Sequence, residues 1–193
     1  MYTLKMLPIL LGALLTMTAT ATPITTASNN TLAARDNTFT IHVRNQCRWE
    51  KQVALYQITS SFQMLRRSNP TNINPGQTID IQAPFYDSGM RLSGHAERGT
   101  AWQWNAQALF EFGHSSYNGQ DGTAYDLSVM QGSDGDIGIG AWPANGACAG
   151  KICFPWDCRP NQGWTNPNQV NQGSPADTVC YHGKTDFTVV FCP

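Results

Sequence analysis

Two acidic side chains stand in segments whose alternation of apolar and polar residues is typical of β-strands. Glu111 lies between Phe110 and Phe112, and Asp126 follows Tyr125. Successive side chains of a strand point to opposite faces, so Glu111 reaches an outer surface if the two phenylalanines are in the core. Glycoside hydrolysis needs a protonated carboxyl group and a second carboxylate about 5 to 10 Å away. Glu111 and Asp126 are candidates for such a pair, and a solvated outer-face position is the alternative for Glu111.

Binding of a carbohydrate requires fewer specialised side chains than its hydrolysis does. Carboxylate and amide groups hydrogen-bond sugar hydroxyls, and aromatic rings stack on the apolar face of a pyranose. Trp102 and Trp104 lie on the same side of any strand that contains them, and Asp121 adds a carboxylate. We therefore include Trp102, Trp104 and Asp121 among the candidate carbohydrate contacts, with half-buried packing as the alternative for the indoles. The other aromatic candidates are Trp142, Trp156, Trp164, Tyr117 and Tyr125, and the other acidic ones are Asp134 and Asp136.

Other catalytic motifs are not found in the sequence. The four histidines belong to neither a Gly-x-Ser-x-Gly elbow nor a His-Glu-x-x-His pair, and no glycine loop is typical of phosphate binding. A zinc site is the alternative use of Cys148, Cys153, Cys158 and Cys180 with His182. Their spacing is not the two-residue knuckle spacing that zinc sites favour. Thiols also pair with one another in an oxidising compartment. We expect no metal and no cofactor.

The amino terminus has the features of a secretory signal peptide over residues 1–21. Lys5 precedes an apolar stretch from Leu7 to Leu15, and small residues follow at Ala19 and Ala21. An apolar stretch this short cannot cross about 30 Å of hydrocarbon as a helix. The sequence therefore predicts a secreted, extracellular protein without a membrane anchor.

Residues 22–37 lack apolar periodicity and are expected to be a disordered tail or prosegment. They contain the one acceptor motif for N-glycosylation, at Asn29. Without residues 1–21 the chain has eleven basic and thirteen acidic side chains, a net charge near −2, which argues against nucleic acid as a partner. We expect residues 38–193 to form one domain and the protein to be a monomer.

The body of the chain reads as an all-β sandwich. Strand-like runs recur between turn signals at Asn74-Pro75-Gly76, Asn118-Gly119 and Asp121-Gly122, whereas residues 159–176 read as a long loop. Alternation predicts which apolar side chains face inward. They are Phe39, Ile41, Val43, Val53, Leu55, Phe110, Phe112, Leu127, Val129, Val189 and Phe191.

A strand ending in Asn45-Gln-Cys47, together with the ending Val189-Val-Phe-Cys-Pro193, resembles the thaumatin-like proteins, in their small form with few cysteines. The segments around Glu111 and Asp126 resemble the family's Ala-Glu-Phe and Tyr-Asp-Val-Ser segments. The resemblance implies a thaumatin-like β-sandwich with a disulfide-tethered loop region. It also implies that these two carboxylates lie on the floor of an acidic cleft.

Six cysteines permit fifteen connectivities, and spacing alone does not choose among them. The resemblance implies one set of three bridges. They are Cys47 with Cys192, Cys148 with Cys180, and Cys153 with Cys158.

The sequence also departs from the family's charge pattern. Gln131 stands where the next acid is expected, and Trp104 stands where an arginine is expected seven residues before Glu111. Arg91, in a segment similar to the family's Gly-Arg-x-Trp, and Arg98 are candidate substitutes for that arginine.

Three classes of function follow. The first is non-catalytic binding of β-glucan or a related cell-wall polysaccharide, with an antimicrobial, defence or effector role. The second is an endo-β-1,3-glucanase that uses Glu111 and Asp126. The third is a secreted inhibitor or effector whose loops between Cys148 and Cys180 contact a protein partner.

Overall fold

The computed structural model describes residues 37–96, 107–130 and 137–193, which belong to one compact unit of the chain. They form strands joined by turns and loops, with one short 3-10 helix at Pro167–Gln172. The strands are β1 (Thr38–Asn45), β2 (Lys51–Ile58), β3 (Met64–Arg66), β4 (Thr71–Ile73), β5 (Thr78–Pro84), β6 (Met90–Ser93), β7 (Leu109–Tyr117), β8 (Gln120–Ser128), β9 (Ile139–Pro143), β10 (Lys151–Cys153), β11 (Thr178–Cys180) and β12 (Phe187–Phe191).

The strands make two sheets, which confirms the predicted all-β class. The first sheet has the order β10-β9-β12-β1-β5, and the second has the order β11-β8-β7-β6-β2-β3, with β4 also paired to β2. Strands β1 and β12 run parallel, with Val43 opposite Val189, whereas the other ladders between the described strands are antiparallel.

The core lies where the inner faces of the two sheets meet. All of the apolar residues predicted for the inner faces are buried and belong to one hydrophobic cluster. The Phe39 and Phe112 rings meet edge to face at 5.3 Å, and Phe110 contacts Phe187 at 4.9 Å, so the two sheets interlock through aromatic pairs. Period-two alternation was sufficient to find these positions because alternate residues of each of these strands face the shared core, although β2 also buries Ala54 and Tyr56 on its other face.

The three disulfides have the pairing that the resemblance implied: Cys47–Cys192, Cys148–Cys180 and Cys153–Cys158. The first joins the ends of β1 and β12, which are parallel neighbours from opposite ends of the domain. The second brings the loop after β9 to the edge strand β11. The third closes a short loop directly after β10.

Two of the predicted turns are confirmed. Asn118 and Gly119 have positive φ angles of 49° and 74° and connect β7 to β8 in a two-residue hairpin loop. The segment at Asn74 closes with a hydrogen bond from the Gln77 amide to the Asn74 carbonyl, at 3.0 Å, and Gly76 has a φ of 77°.

The turn predicted at Asp121-Gly122 is wrong, because both residues lie within β8. Gly122 lies in β8 at a position where a side chain would clash with the backbone of β11. A Cβ atom at this position would lie 2.7 Å from the carbonyl oxygen of Cys180, so the close approach of the backbone at the end of β11 requires glycine.

The predicted loop at residues 159–176 is irregular apart from the 3-10 helix. Asn166 caps that helix, and its side chain accepts a hydrogen bond from the Asn168 amide. Trp164 attaches the loop to the end of β8, since its amide donates to the Leu127 carbonyl and its carbonyl accepts from Val129, both at 2.8 Å. This attachment places the Trp164 side chain beside the outer face of the second sheet.

Several predictions lie outside the described residues. They concern the signal peptide at 1–21, the tail at 22–36, Asn29, Arg98, Trp102, Trp104, Gln131, Asp134 and Asp136. In the part of the chain that the structure describes, no helix has the length and apolar character needed to span a membrane.

Candidate functional site

Three charged side chains form a row across the second sheet. Arg91 of β6 is directly opposite Glu111 of β7, and Glu111 is directly opposite Asp126 of β8. All three alternate with buried apolar neighbours, so they project from the outer face of the sheet. These three residues were predicted as candidates from the sequence. The register between β6, β7 and β8 places them next to one another.

Arg91 and Glu111 form an ion pair between Nε and Oε1. Their side chains are only 11% and 19% exposed, so water screens this pair less than it screens a surface pair. Arg91 therefore places a cation directly beside the Glu111 carboxylate.

The pKa of Asp126 is strongly shifted by its surroundings. Although the residue keeps some exposure, its Oδ1 is buried and has no hydrogen-bond partner among the described residues. Burial raises the pKa of Asp126 well above its usual value, and the charges of Glu111 and Asp177 and a hydrogen bond with Glu111 raise it further, whereas the positive charge of Lys151 opposes the rise. Asp126 is therefore inclined to keep its proton and donate it toward Glu111.

Asp177, the residue just before β11, lies at one side of the row. Its Oδ1 accepts a hydrogen bond from Trp164 Nε1 at 2.9 Å. This bond fixes the edge of the indole, and Trp164 lines the same space as Arg91 and Glu111. An aromatic ring thus stands next to the charged row.

Lys151 anchors the segment that carries Asp177. Its buried Nζ donates to the Ala176 carbonyl at 2.6 Å and to the Asn161 carbonyl at 3.0 Å, and lies 6.0 Å from the centre of the Tyr125 ring. Burial lowers the pKa of Lys151, and the charges of Asp126 and Asp177 oppose that effect. The lysine is a structural cation held by carbonyl groups beneath the site.

The row lies in a groove. One part, with a volume of about 410 Å³, is lined by Arg91, Glu111 and Asp126 together with Asp177 and the edge of β11. A second part, of about 240 Å³, extends past Arg91 and Glu111 to Met130, Trp164 and Pro167. Arg91 Nη1 is buried without a hydrogen-bond partner among the described residues, as is Asp126 Oδ1. The groove therefore combines an unsatisfied donor, an unsatisfied acceptor and an indole.

Asp121 lies elsewhere, although the sequence grouped it with this row. It is five residues from Asp126 along β8, and an odd spacing turns the two side chains to opposite faces. Asp121 is paired with His114 Nε2 at 3.0 Å and lines a separate cavity of about 560 Å³ beside Tyr86, Tyr181 and Lys184.

Sequence reasoning missed Asp177 and Lys151 and gave Trp164 no position. No local signal placed Asp177 beside Asp126, because the pairing of β11 with β8 that brings them together is a long-range contact. Lys151 carried no signal, because a lysine is ordinarily a surface residue.

Metal ligands do not gather anywhere in the part of the chain that the structure describes, where no group of three or more histidine, cysteine or acidic side chains has suitable geometry. All six cysteines are in disulfides.

No known family profile and no curated protein sequence matches the chain. Among solved structures, the chain is similar to the protein elicitor MoHrip2 from Magnaporthe oryzae, with 16% identity and a TM-score of 0.55, over 80% of this chain and 99% of that one. It is also similar to the thaumatin-like xylanase inhibitor TLXI, with 13% identity and a TM-score of 0.49, over 79% and 99% of the two chains. The chain has a thaumatin-like all-β fold.

Proposed function

We propose that the protein is secreted and binds a cell-wall polysaccharide without hydrolysing it, in the groove of Arg91, Glu111 and Asp126. The observation that carries this proposal is the pair of unsatisfied polar atoms, the Arg91 donor and the Asp126 acceptor, on residues that line one groove. A buried polar atom without a partner costs free energy. A sugar hydroxyl both donates and accepts, so hydroxyls of one ligand can satisfy both atoms once the two side chains turn toward the groove.

Trp164 supports a carbohydrate as the ligand. Its indole lines the groove next to Arg91 and Glu111, and its Nε1 is already bonded to Asp177. The ring is thus held in one orientation with its polar edge satisfied, as an apolar stacking surface requires. β-glucan is the first candidate polysaccharide, on the resemblance of the acidic segments.

The geometry of the two acids favours binding over hydrolysis. Retaining glycosidases hold their two carboxyl groups about 5 to 5.5 Å apart, and inverting ones hold them about 6.5 to 9.5 Å apart. Glu111 and Asp126 are directly opposite each other on neighbouring strands, and they interact closely enough for Glu111 to raise the pKa of Asp126, which leaves little space for a sugar ring between them. Glu111 is also held by Arg91 and is not a free nucleophile.

Three disulfides support an extracellular location, because such bonds persist in oxidising compartments. The biological role we propose is defence or effector action, since a protein of the same fold is named as an elicitor. A protein partner at the loops between Cys148 and Cys180 is the second candidate for the target.

The test measures binding and hydrolysis in the same preparation. Calorimetry with a soluble hexasaccharide of β-1,3-linked glucose should show binding by the wild-type protein, and a reducing-sugar assay on laminarin should show no release. Replacement of Trp164 by Ala should weaken binding, with the exposed Val170→Ala change, in the same loop, as the control. Release of reducing sugar that depends on Glu111 would establish the glucanase instead. Absence of binding to β-1,3-glucan and to other wall glycans would favour the protein partner.

A further inference from the structure

The outer face of the first sheet carries an apolar strip that consists of the exposed Trp142, Ile152 and Trp156 and the half-buried Phe154. The exposed fractions are 38% for Trp142, 38% for Ile152 and 68% for Trp156. Trp142 belongs to β9 and Ile152 to the edge strand β10, and Phe154 and Trp156 follow on the short loop closed by Cys153–Cys158. Contiguous exposed apolar surface of this kind commonly marks a contact site.

Two glycines hold the Trp142 indole flat on the sheet. A Cβ atom at Gly140 would lie 2.2 Å from Cη2 of the six-membered ring, and a Cβ atom at Gly150 would lie 2.4 Å from Cδ1 of the five-membered ring. Both halves of the indole therefore rest on bare backbone, while 38% of the residue stays exposed to solvent. Any side chain at either glycine would lift the ring.

Trp156 is held at the end of the strip. Phe154 packs with one ring edge over Gly138, where a Cβ atom would lie 2.4 Å from Phe154 Cδ1. Trp156 stacks on Phe154 with ring centres 5.4 Å apart and an interplanar angle of 27°. The Asp157 amide donates to the Phe154 carbonyl at 3.0 Å, and the disulfide closes the loop, so little freedom remains to be lost on binding.

We propose that this strip binds the flat surface of a neutral polysaccharide. An indole that lies flat presents a planar apolar face without a pocket, which complements the face of a pyranose ring that is rich in C–H groups. The neighbouring outer positions supply hydrogen-bonding groups. Thr188 is opposite Trp142, and further along the sheet His42 bonds Asp80 at 2.7 Å and Thr40 bonds Gln82 at 3.3 Å.

The charges near the strip favour a neutral polymer over an ionic one. Arg44 and Asp80 project from the same outer face, and Asp157 and Arg159 line a cavity beside Phe154. Each acid is accompanied by a base, so this region lacks the single-sign field that would attract a charged chain. The proposal goes beyond the groove, which lies on the other sheet, and the two sites can fail separately.

The test is depletion of the protein from solution by insoluble β-1,3-glucan, cellulose and chitin. Trp142→Ala and Trp156→Ala should each weaken binding to at least one of these solids about tenfold or more. Trp49→Ala removes an exposed indole outside the strip and should leave the binding unchanged. The strip variants should bind the soluble hexasaccharide in the groove as the wild type does.

Gly140→Ala separates ring position from ring presence. It keeps every aromatic atom and displaces the indole, so it should weaken binding to the solids and change the near-ultraviolet circular dichroism while the melting temperature stays close to that of the wild type. Wild-type adsorption by all three strip variants, or equal loss in Trp49→Ala, would overturn the proposal. So would failure of the wild-type protein to bind any of the three solids. A shift of molecular mass in Trp156→Ala with adsorption unchanged would instead assign the strip to contact between two copies of the chain.

Discussion

The carboxyl groups of Glu111 and Asp126 face each other across the β7–β8 ladder and share a hydrogen bond. Two carboxyl groups in contact cannot both carry a full negative charge without strong repulsion. Arg91 stabilises the charge on Glu111, and burial disfavours the charge on Asp126, so the proton belongs mainly to Asp126. This asymmetry leads directly to a prediction on pH and stability.

Asp126→Asn should stabilise the protein at neutral pH and have little effect at pH 3. In the unfolded chain Asp126 ionises near the ordinary pKa of an aspartate, 3.8, whereas burial keeps it protonated in the folded protein to a higher pH. The folded state binds more protons between these two pKa values, so wild-type stability falls as the pH rises through that interval. Asparagine cannot ionise and lacks this loss.

Melting curves of the wild type and Asp126→Asn from pH 3 to pH 8 measure the effect. We expect the difference in melting temperature to grow with pH and then level off. Asp80→Asn, at the exposed pair with His42, is the control for removal of one carboxylate. A stability difference that is largest at pH 3 would contradict the assignment of the proton to Asp126.

Glu111→Gln should cost about 1 to 3 kcal/mol of folding free energy, because it removes a charged hydrogen bond and leaves the guanidinium of Arg91 mostly buried without its anion. Chemical denaturation measures this cost. If the groove binds sugar without catalysis, the variant should show a modest loss of affinity for the soluble hexasaccharide and no change in hydrolysis. Neutral behaviour of both Glu111→Gln and Asp126→Asn in binding would reject the groove as the site.

Removal of the Cys47–Cys192 bridge by paired alanine substitutions should cost about 4 to 5 kcal/mol, since the two cysteines are 145 residues apart and the loop-entropy model scales with loop length. The Cys153–Cys158 bridge spans five residues and should contribute about 2 kcal/mol on the same scaling. Denaturant titration of both double variants gives the comparison. A larger loss from the short bridge would show that native-state packing dominates over chain entropy.

Gly122→Ala should destabilise the protein by about 1 to 3 kcal/mol, because the added methyl group would meet the Cys180 carbonyl and β11 would have to shift. The hairpin residue Gly119 has open space around its Cβ position and a positive φ of 74°. Gly119→Ala therefore tests backbone strain alone, at about 1 to 2 kcal/mol. Thermal unfolding of the two variants compares them, and only Gly122→Ala should perturb amide resonances of β11.

Phe112→Ala should cost about 3 to 5 kcal/mol, since the ring is 4% exposed and contacts Phe39 and Phe110 in the core. Equilibrium denaturation measures the loss. The exposed Tyr117→Ala, on the same strand, should change stability by less than about 1 kcal/mol and serves as the control. Equal losses in the two variants would argue against the assignment of the inner face.

The buried faces of the strands could be assigned from local sequence. Alternation has a period of two residues, so Phe39, Ile41 and Val43 could be assigned to the core without knowledge of their partners. The Asn118-Gly119 hairpin turn could likewise be predicted from its own two residues. The pairing of the six cysteines came from resemblance to a family, because spacing permits fifteen arrangements.

The set of residues that share a site depended on the folded chain. Arg91, Glu111, Asp126 and Asp177 come from β6, β7, β8 and the approach to β11, and the register between strands is set by contacts over the whole domain. Asp121 is close to Asp126 in sequence and still faces another cavity. The flat Trp142 indole likewise depends on Gly140 and on Gly150 of the adjacent segment. The alternation in the sequence determines which face of the sheet a residue occupies, whereas the pairing of strands determines which side chains are its neighbours on that face.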